Sequence, residues 1–125
     1  MSTTAIIADT SIWIDHINRG DSELIAQLKR RRILLHPMIV AEIALGSIAR
    51  RKLALGELTI LPQAAVASHS EVMAMIEWLQ LSKSGIGYVD AHLLAATRQI
   101  SGCRLWSRDR RLRAQAERLE VAYAP

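Results

Sequence analysis

Asp9, Glu42, Asp90 and Asp109 are the residues from which chemistry could be built. Asp9 ends the apolar run Ile6-Ile7-Ala8 and is followed by two hydroxyl residues, Thr10 and Ser11. Asp109 follows a second strand-like run, Cys103-Arg104-Leu105-Trp106-Ser107. Glu42 has Met38, Ile39, Leu45 and Gly46 as its three- and four-residue neighbours, so a helix there puts its carboxylate on an apolar stripe. Asp90 falls in the first turn of a helix with Leu93 and Leu94 one turn on. Two carboxylates about 4 Å apart repel by roughly 4 kcal/mol at an effective dielectric of 20, so a cluster of four needs protons or cations. Hard oxygen ligands without His or Cys select magnesium, with manganese as a substitute.

Each acid also has a purely structural use. Asp9 can cap the helix that follows, with Ser11 helping, and Asp90 can favour its own helix through the amino-terminal dipole. Glu42 is either satisfied by a local partner or points with other groups into a polar cleft, because an unpaired buried charge is costly. Asp15 can pair with Arg19 one turn on. Glu71 is accounted for by Ser68, which stands at capping-box spacing before the repeat Val72, Met75, Ile76, Leu79. His36 reads as a strand-end residue, since no second His lies at metal-binding spacing. The lone Gly85-Ile86-Gly87 reads as a turn, lacking the other positions of a phosphate loop.

The elements that must position these acids alternate between strand and helix. Ile6 to Ala8 predicts a buried central strand, Ser11 to Asn18 a short helix, and Asp21 or Ser22 the cap of a second helix carrying Leu24, Ile25 and Leu28. Ile33-Leu34-Leu35 predicts a second strand, and Pro37 opens a helix over Met38 to Gly46. Ile48 to Leu58 predicts a helix, followed by a loop or short edge strand through Ala67. The capped helix after Ser68, a helix over Tyr88 to Gln99, the strand before Asp109, a helix with Leu112, Ala116 and Leu119, and a last strand at Val121-Ala122-Tyr123 complete the chain. This order predicts one α/β domain over residues 1–125, with a central parallel sheet flanked by helices on both faces. Right-handed crossovers bring its strand ends to one edge.

The composition agrees with a globular enzyme or binding module. The chain has 125 residues, 50% of them hydrophobic and none of them Phe, so the core must be built from Leu, Ile, Val, Ala and Met. Met-Ser-Thr-Thr carries no basic segment ahead of an apolar run, and no apolar run is long enough to span a bilayer, so a cytoplasmic protein without a membrane partner is expected. The single Cys103 cannot form an internal disulfide. A formal net charge of +4, with basic clusters at Lys29 to Arg32, Arg50 to Lys52 and Arg108 to Arg113, suits an acidic partner, although solvated helix faces account equally for the first two clusters.

Together these motifs resemble those of PIN-domain ribonucleases of the VapC toxin kind. Asp9-Thr10-Ser11 is similar to the first motif, Ala41-Glu42-Ile43-Ala44-Leu45-Gly46 to the second, Gly85-Ile86-Gly87-Tyr88-Val89-Asp90-Ala91-His92 to the third, and Leu105-Trp106-Ser107-Arg108-Asp109 to the fourth. Ser107 stands where Thr is usual, and Arg110 and Arg111 stand where some relatives carry another acid. The resemblance implies magnesium-dependent endoribonuclease activity with Asp9, Glu42, Asp90 and Asp109 as catalytic residues. It implies a metal on Asp9, Asp90 and Asp109, with Ser11 and Ser107 supporting those ligands and Arg108 and Arg110 holding flanking phosphates of an RNA substrate. It also implies a VapB-like antitoxin and a homodimer. Met73, Met75 and Trp78, or Trp13, are the apolar anchors either partner could take. Two rivals remain: a non-catalytic interaction module of the same fold, and an Asp9-nucleophile phosphatase, which normally needs a second acid where Ser11 stands.

Overall fold

β1 (Ile6–Ala8) runs through the centre of the protein with every side chain buried. A computed structural model describes residues 4–125, so most of the Met-Ser-Thr-Thr segment lies outside the described residues. The order along the chain continues α1 (Thr10–Arg19), α2 (Ser22–Lys29), β2 (Ile33–Leu34), α3 (Pro37–Leu45), α4 (Arg51–Thr59), α5 (His69–Trp78), α6 (Tyr88–Gln99), β3 (Arg104–Trp106) and α7 (Arg110–Arg118). The sheet order is β2-β1-β3 and all pairing is parallel, with Ile6 opposite Ile33 and Arg104, and Ile7 opposite Leu34 and Leu105.

This topology decides where the site lies. The chain leaves β1 for β2 on one side and later returns past β1 to β3 on the other. With right-handed crossovers, these opposite movements put the connecting helices on opposite faces. The carboxyl end of β1 is therefore a topological switch point, where open α/β sheets leave a crevice. Asp9 occupies that end, and its N–H donates to Trp106 O at 2.9 Å, which ties it to the end of β3.

Parallel strands covered on both faces read as continuous apolar runs. Ile6, Ile7, Ala8, Ile33 and Leu105 accordingly lie in one core with Ile12, Leu24, Ile39, Ile43, Leu93, Leu94 and Leu112. The expected strand at Val121-Ala122-Tyr123 is reduced to a single parallel bridge between Leu105 and Ala122. The expected edge segment before Ala67 is likewise one bridge, Leu35 with Gln63, and Pro62 has no N–H with which to extend it.

Most helix ends follow their side-chain signals. Asp21 accepts from Leu24 N at 2.9 Å, and Ser68 and Glu71 form the complete capping box. His36 is fully buried and caps α3, its Nδ1 accepting from Met38 N at 3.1 Å. Burial, with the nearby His92 adding to it, pushes its pKa down to about 4, so the ring is neutral. α4 starts at Arg51, later than Ile48, because Arg50 turns the chain in the left-handed region at φ 52. Arg51 instead caps the end of α3, donating to Ala44 O at 3.0 and 2.7 Å.

Two expected anchors prove to be core residues. Trp13 and Met75 are buried, whereas Met73 and Trp78 are exposed. The Arg98 guanidinium carbon lies 5.5 Å from the Trp78 ring centroid.

Candidate active site

Asp9 serves as helix cap and site residue at once. Its Oδ1 accepts from Ile12 N at 3.3 Å, closing the first turn of α1, and also from Ser11 Oγ at 2.5 Å. Its Oδ2 accepts from Ser107 Oγ. Both serines are themselves aligned by backbone from the far end of the chain. Ser11 Oγ accepts the N–H of Arg108 at 3.1 Å, and Ser107 Oγ accepts that of Asp109 at 2.9 Å. The carboxylate is thus oriented through two hydroxyl relays and cannot turn freely. Burial raises its pKa, and the bonds from Ser107 and Ser11 partly oppose that rise.

Glu42 differs from the sequence expectation of an apolar stripe. Only Ile39 and Ile43 of α3 are buried; Leu45 is 88% exposed and Glu42 is exposed with it. The helix presents a narrow buried row, and Glu42 stands beside that row, facing out. Thr10 Oγ1 donates to its Oε1 at 2.5 Å. Thr10 had no role assigned in the sequence reading, although the paired hydroxyls after Asp9 were the available signal.

Asp90, in the first turn of α6, is where the acids register one another. Its pKa is pushed up to about 6, first by burial and then by the charges of Asp109, Asp9 and Glu42, against a backbone hydrogen bond from Gly87. The charges that raise Asp90 come from acids at the ends of β1 and β3 and from α3. Asp109 caps α7, its Oδ1 accepting from Arg111 N at 3.0 Å and Leu112 N at 3.1 Å.

Among the described residues, none of these four acids forms an ion pair. The donor set is all oxygen and lacks a compensating cation, which fits a hard divalent ion. Among the same residues, no three His, Cys, Asp or Glu side chains form a group that could hold a metal ion. Asp9, Glu42 and Asp109 each accept hydrogen bonds from hydroxyl or amide donors.

Arg108 does something the sequence did not indicate. Its guanidinium bridges Asp15, at 2.6 Å, and Asp21, so it ties the loop after β3 to α1 and to the cap of α2. Asp15 also keeps its expected pairing with Arg19, at 3.3 Å. Arg110 makes no ion pair among the described residues and is exposed. Cys103 is buried, and burial lifts its thiol to about 11, which leaves it inert.

The model of the PIN domain family matches residues 6–118, a span that takes in all four acids. The chain belongs to the PIN domain family. Within that family it is similar to Ribonuclease VapC32 of Mycobacterium tuberculosis, represented by strains CDC 1551 / Oshkosh and ATCC 25618 / H37Rv. Identity is 40% over 119 residues, covering 95% of this chain and 96% of the relative in each case, which puts this PIN domain among those of the VapC type. The crystal structure of PAE2754 from Pyrobaculum aerophilum shares the fold, with a TM-score of 0.59 at 18% identity, over 94% of this chain and 87% of that one.

Proposed function

We propose that this PIN domain is a magnesium-dependent endoribonuclease and the toxin of a VapBC-type pair. The observation that carries the reading is the placement of Asp9, buried at the carboxyl end of β1, held by Ser11 and Ser107 and linked through Ser107 to the backbone of Asp109, with no ion pair to either acid among the described residues. Similarity to a protein named Ribonuclease VapC32 supplies the substrate class.

In this reading Asp9, Asp90 and Asp109 hold Mg2+, or Mn2+ in its place. Once bound, the ion supplies a water whose pKa falls toward 7 and a positive charge opposite the phosphate. The chain's own residues do the rest. Ser11 and Ser107 fix the direction of Asp9 through their hydroxyls. Glu42 keeps Oε1 on Thr10, which leaves Oε2 to accept a proton from the attacking water. Arg110, unpaired and exposed, takes a flanking phosphate, whereas Arg108 acts by holding the loop that carries the two relay amides.

Incubation with total RNA, with and without magnesium, followed by mapping of the cut ends, tests the reading. Cleavage should require magnesium and vanish in Asp9→Asn. Equal cutting by both proteins would remove Asp9 from the chemistry, and no cutting by the wild type would give first place to the interaction module. Expression in cells should arrest growth for the wild type but not for Asp9→Asn, and a small VapB-like partner should restore it. Such a partner would answer the acids with an Arg, or Arg110 and Arg111 with its own acids. The exposed side chains of Trp78 and Met73 on α5 are offered to that partner or to a second copy in a homodimer. No helix among the described residues is long and apolar enough to cross a membrane, in keeping with a substrate met in solution.

A further inference from the structure

A concavity of about 300 Å³ opens at the start of α6, and none of the roles above uses it. Ile76, Leu81, Ile86 and Ala91 form its apolar floor, Tyr88 one wall, and Lys83 part of its rim. Tyr88 is 44% exposed, yet its ring is held from two sides. Its hydroxyl is hydrogen-bonded to His69 Nδ1 at 2.7 Å, and the His92 ring meets it edge-on at 4.6 Å between centroids. An aromatic wall fixed in this way and open on one side loses little entropy when a flat group stacks on it.

Charge surrounds the same opening. Gly85, at φ +83, has Arg111 lying across it, so close that a Cβ there would come 2.7 Å from Arg111 Cδ. The backbone of Arg111 donates to Asp109, so this one residue touches both the acid cluster and the pocket lip. Asp90 lies one position before Ala91 of the floor. A pocket of this size stands at the small end of ligand sites, which run from roughly 300 to 1,000 Å³, and so suits one planar ring system rather than a larger molecule.

We propose that this pocket receives one unpaired nucleobase of the RNA substrate, stacked on Tyr88, while Lys83 and Arg111 take the phosphates on either side. The inference rests on the ribonuclease reading and adds to it a specificity subsite. Bases stack on aromatic side chains whatever their sequence, and the shape of the floor then selects among them. Duplex RNA cannot present a splayed base, so the subsite restricts the enzyme to loops and single strands.

The test uses a single-stranded oligoribonucleotide carrying one 2-aminopurine, scanned along its length, with the full-length Asp90→Asn protein. At one position the fluorescence should be quenched on binding. Tyr88→Leu, added to Asp90→Asn, should lose that quench and weaken binding about tenfold, and Tyr88→Phe should restore both. In the otherwise wild-type protein Tyr88→Leu should also shift the mapped cut sites. Lys83→Glu, at an exposed rim position, reads the same site should Tyr88→Leu fold poorly, and its salt slope should fall by about one. If the wild type cuts while Tyr88→Leu keeps the quench, affinity and cut sites, the subsite is overturned and the nuclease stands. A wild type that neither cuts nor binds the oligonucleotide overturns both.

Discussion

Ser107 donates its hydroxyl proton to Asp9 Oδ2 while its oxygen accepts the N–H of Asp109 at 2.9 Å. One hydroxyl thus aligns an acid after β1 with the loop that carries an acid after β3. Ser107→Ala removes both bonds and leaves the buried Asp9 with one relay in place of two. Losing such a partner typically costs 10- to 100-fold in metal affinity or activity. We expect Ser107→Ala to need much more magnesium for half-maximal cleavage and Ser107→Thr to behave as the wild type. A magnesium titration of cleavage rate reads both, and an unchanged midpoint in Ser107→Ala would sink the relay.

Asp90 contributes to how the metal-free protein responds to pH. Its ordinary pKa is 3.8 and its folded value about 6. As pH rises through 3.8, the unfolded chain gives up its proton first, so the folded state loses stability until about pH 6 and is level above it. Burial raises the pKa of Asp9 in the same sense. In EDTA, Asp90 and Asp9 should therefore lower the Tm of the wild type between pH 4.5 and pH 7, a fall that His36, neutral in the fold with its pKa at about 4, opposes over the same range. Asp90→Asn should flatten that fall and abolish cleavage. Magnesium should raise the Tm of the wild type at pH 7 but not that of the variant. Parallel Tm curves for the two proteins would remove Asp90 from the cluster.

Arg108 and Arg110 separate two uses of a positive charge. Arg108 is engaged by Asp15 and Asp21 with its side chain 42% exposed, a setting in which ion pairs contribute roughly 0–1 kcal/mol. Arg108→Ala should cost no more than about 1 kcal/mol in denaturant unfolding. It should lower kcat, because the Ser11 relay loosens, while leaving the salt dependence of RNA binding alone. Arg110→Ala should do the reverse and reduce the salt slope by about one. A slope that falls equally in both variants would mean that Arg108 exchanges its carboxylates for phosphate.

Far from the acids, Ser68→Ala should break the capping box of α5 and lower stability by about 1 kcal/mol. The cleavage rate at 25 °C should not change. Chemical denaturation and a standard assay on the same preparation separate the two effects, and a loss of rate without a loss of stability would tie α5 to the chemistry.

What was legible in the sequence was what depends on short range. Asp9 and Asp109 stood out because a carboxylate closing an apolar run is seldom idle, and Tyr88 to Gln99 carried its helical period without interruption. The exposure of Glu42 was not legible, since its neighbours Met38 and Leu45 are apolar whether or not anything covers them, and at Leu45 nothing does. The pairing of Arg108 with Asp15 and Asp21 spans 93 and 87 positions and depends on how α1 meets α2, which no local pattern encodes. For the same reason, Arg19 as the partner of Asp15 was correct and incomplete.

The bond from Ser107 to Asp9 closes a loop of 98 positions. During synthesis, at roughly 5–20 residues per second, β1 leaves the ribosome long before β3 exists to lie beside it. For most of its own translation the chain therefore carries an acid with one relay and no second strand to orient it. On the proposed ribonuclease reading, that delay would keep each growing chain inactive until Asp109 and its loop have been made. A product broken off before Ser107 would lack both the second relay and Asp109.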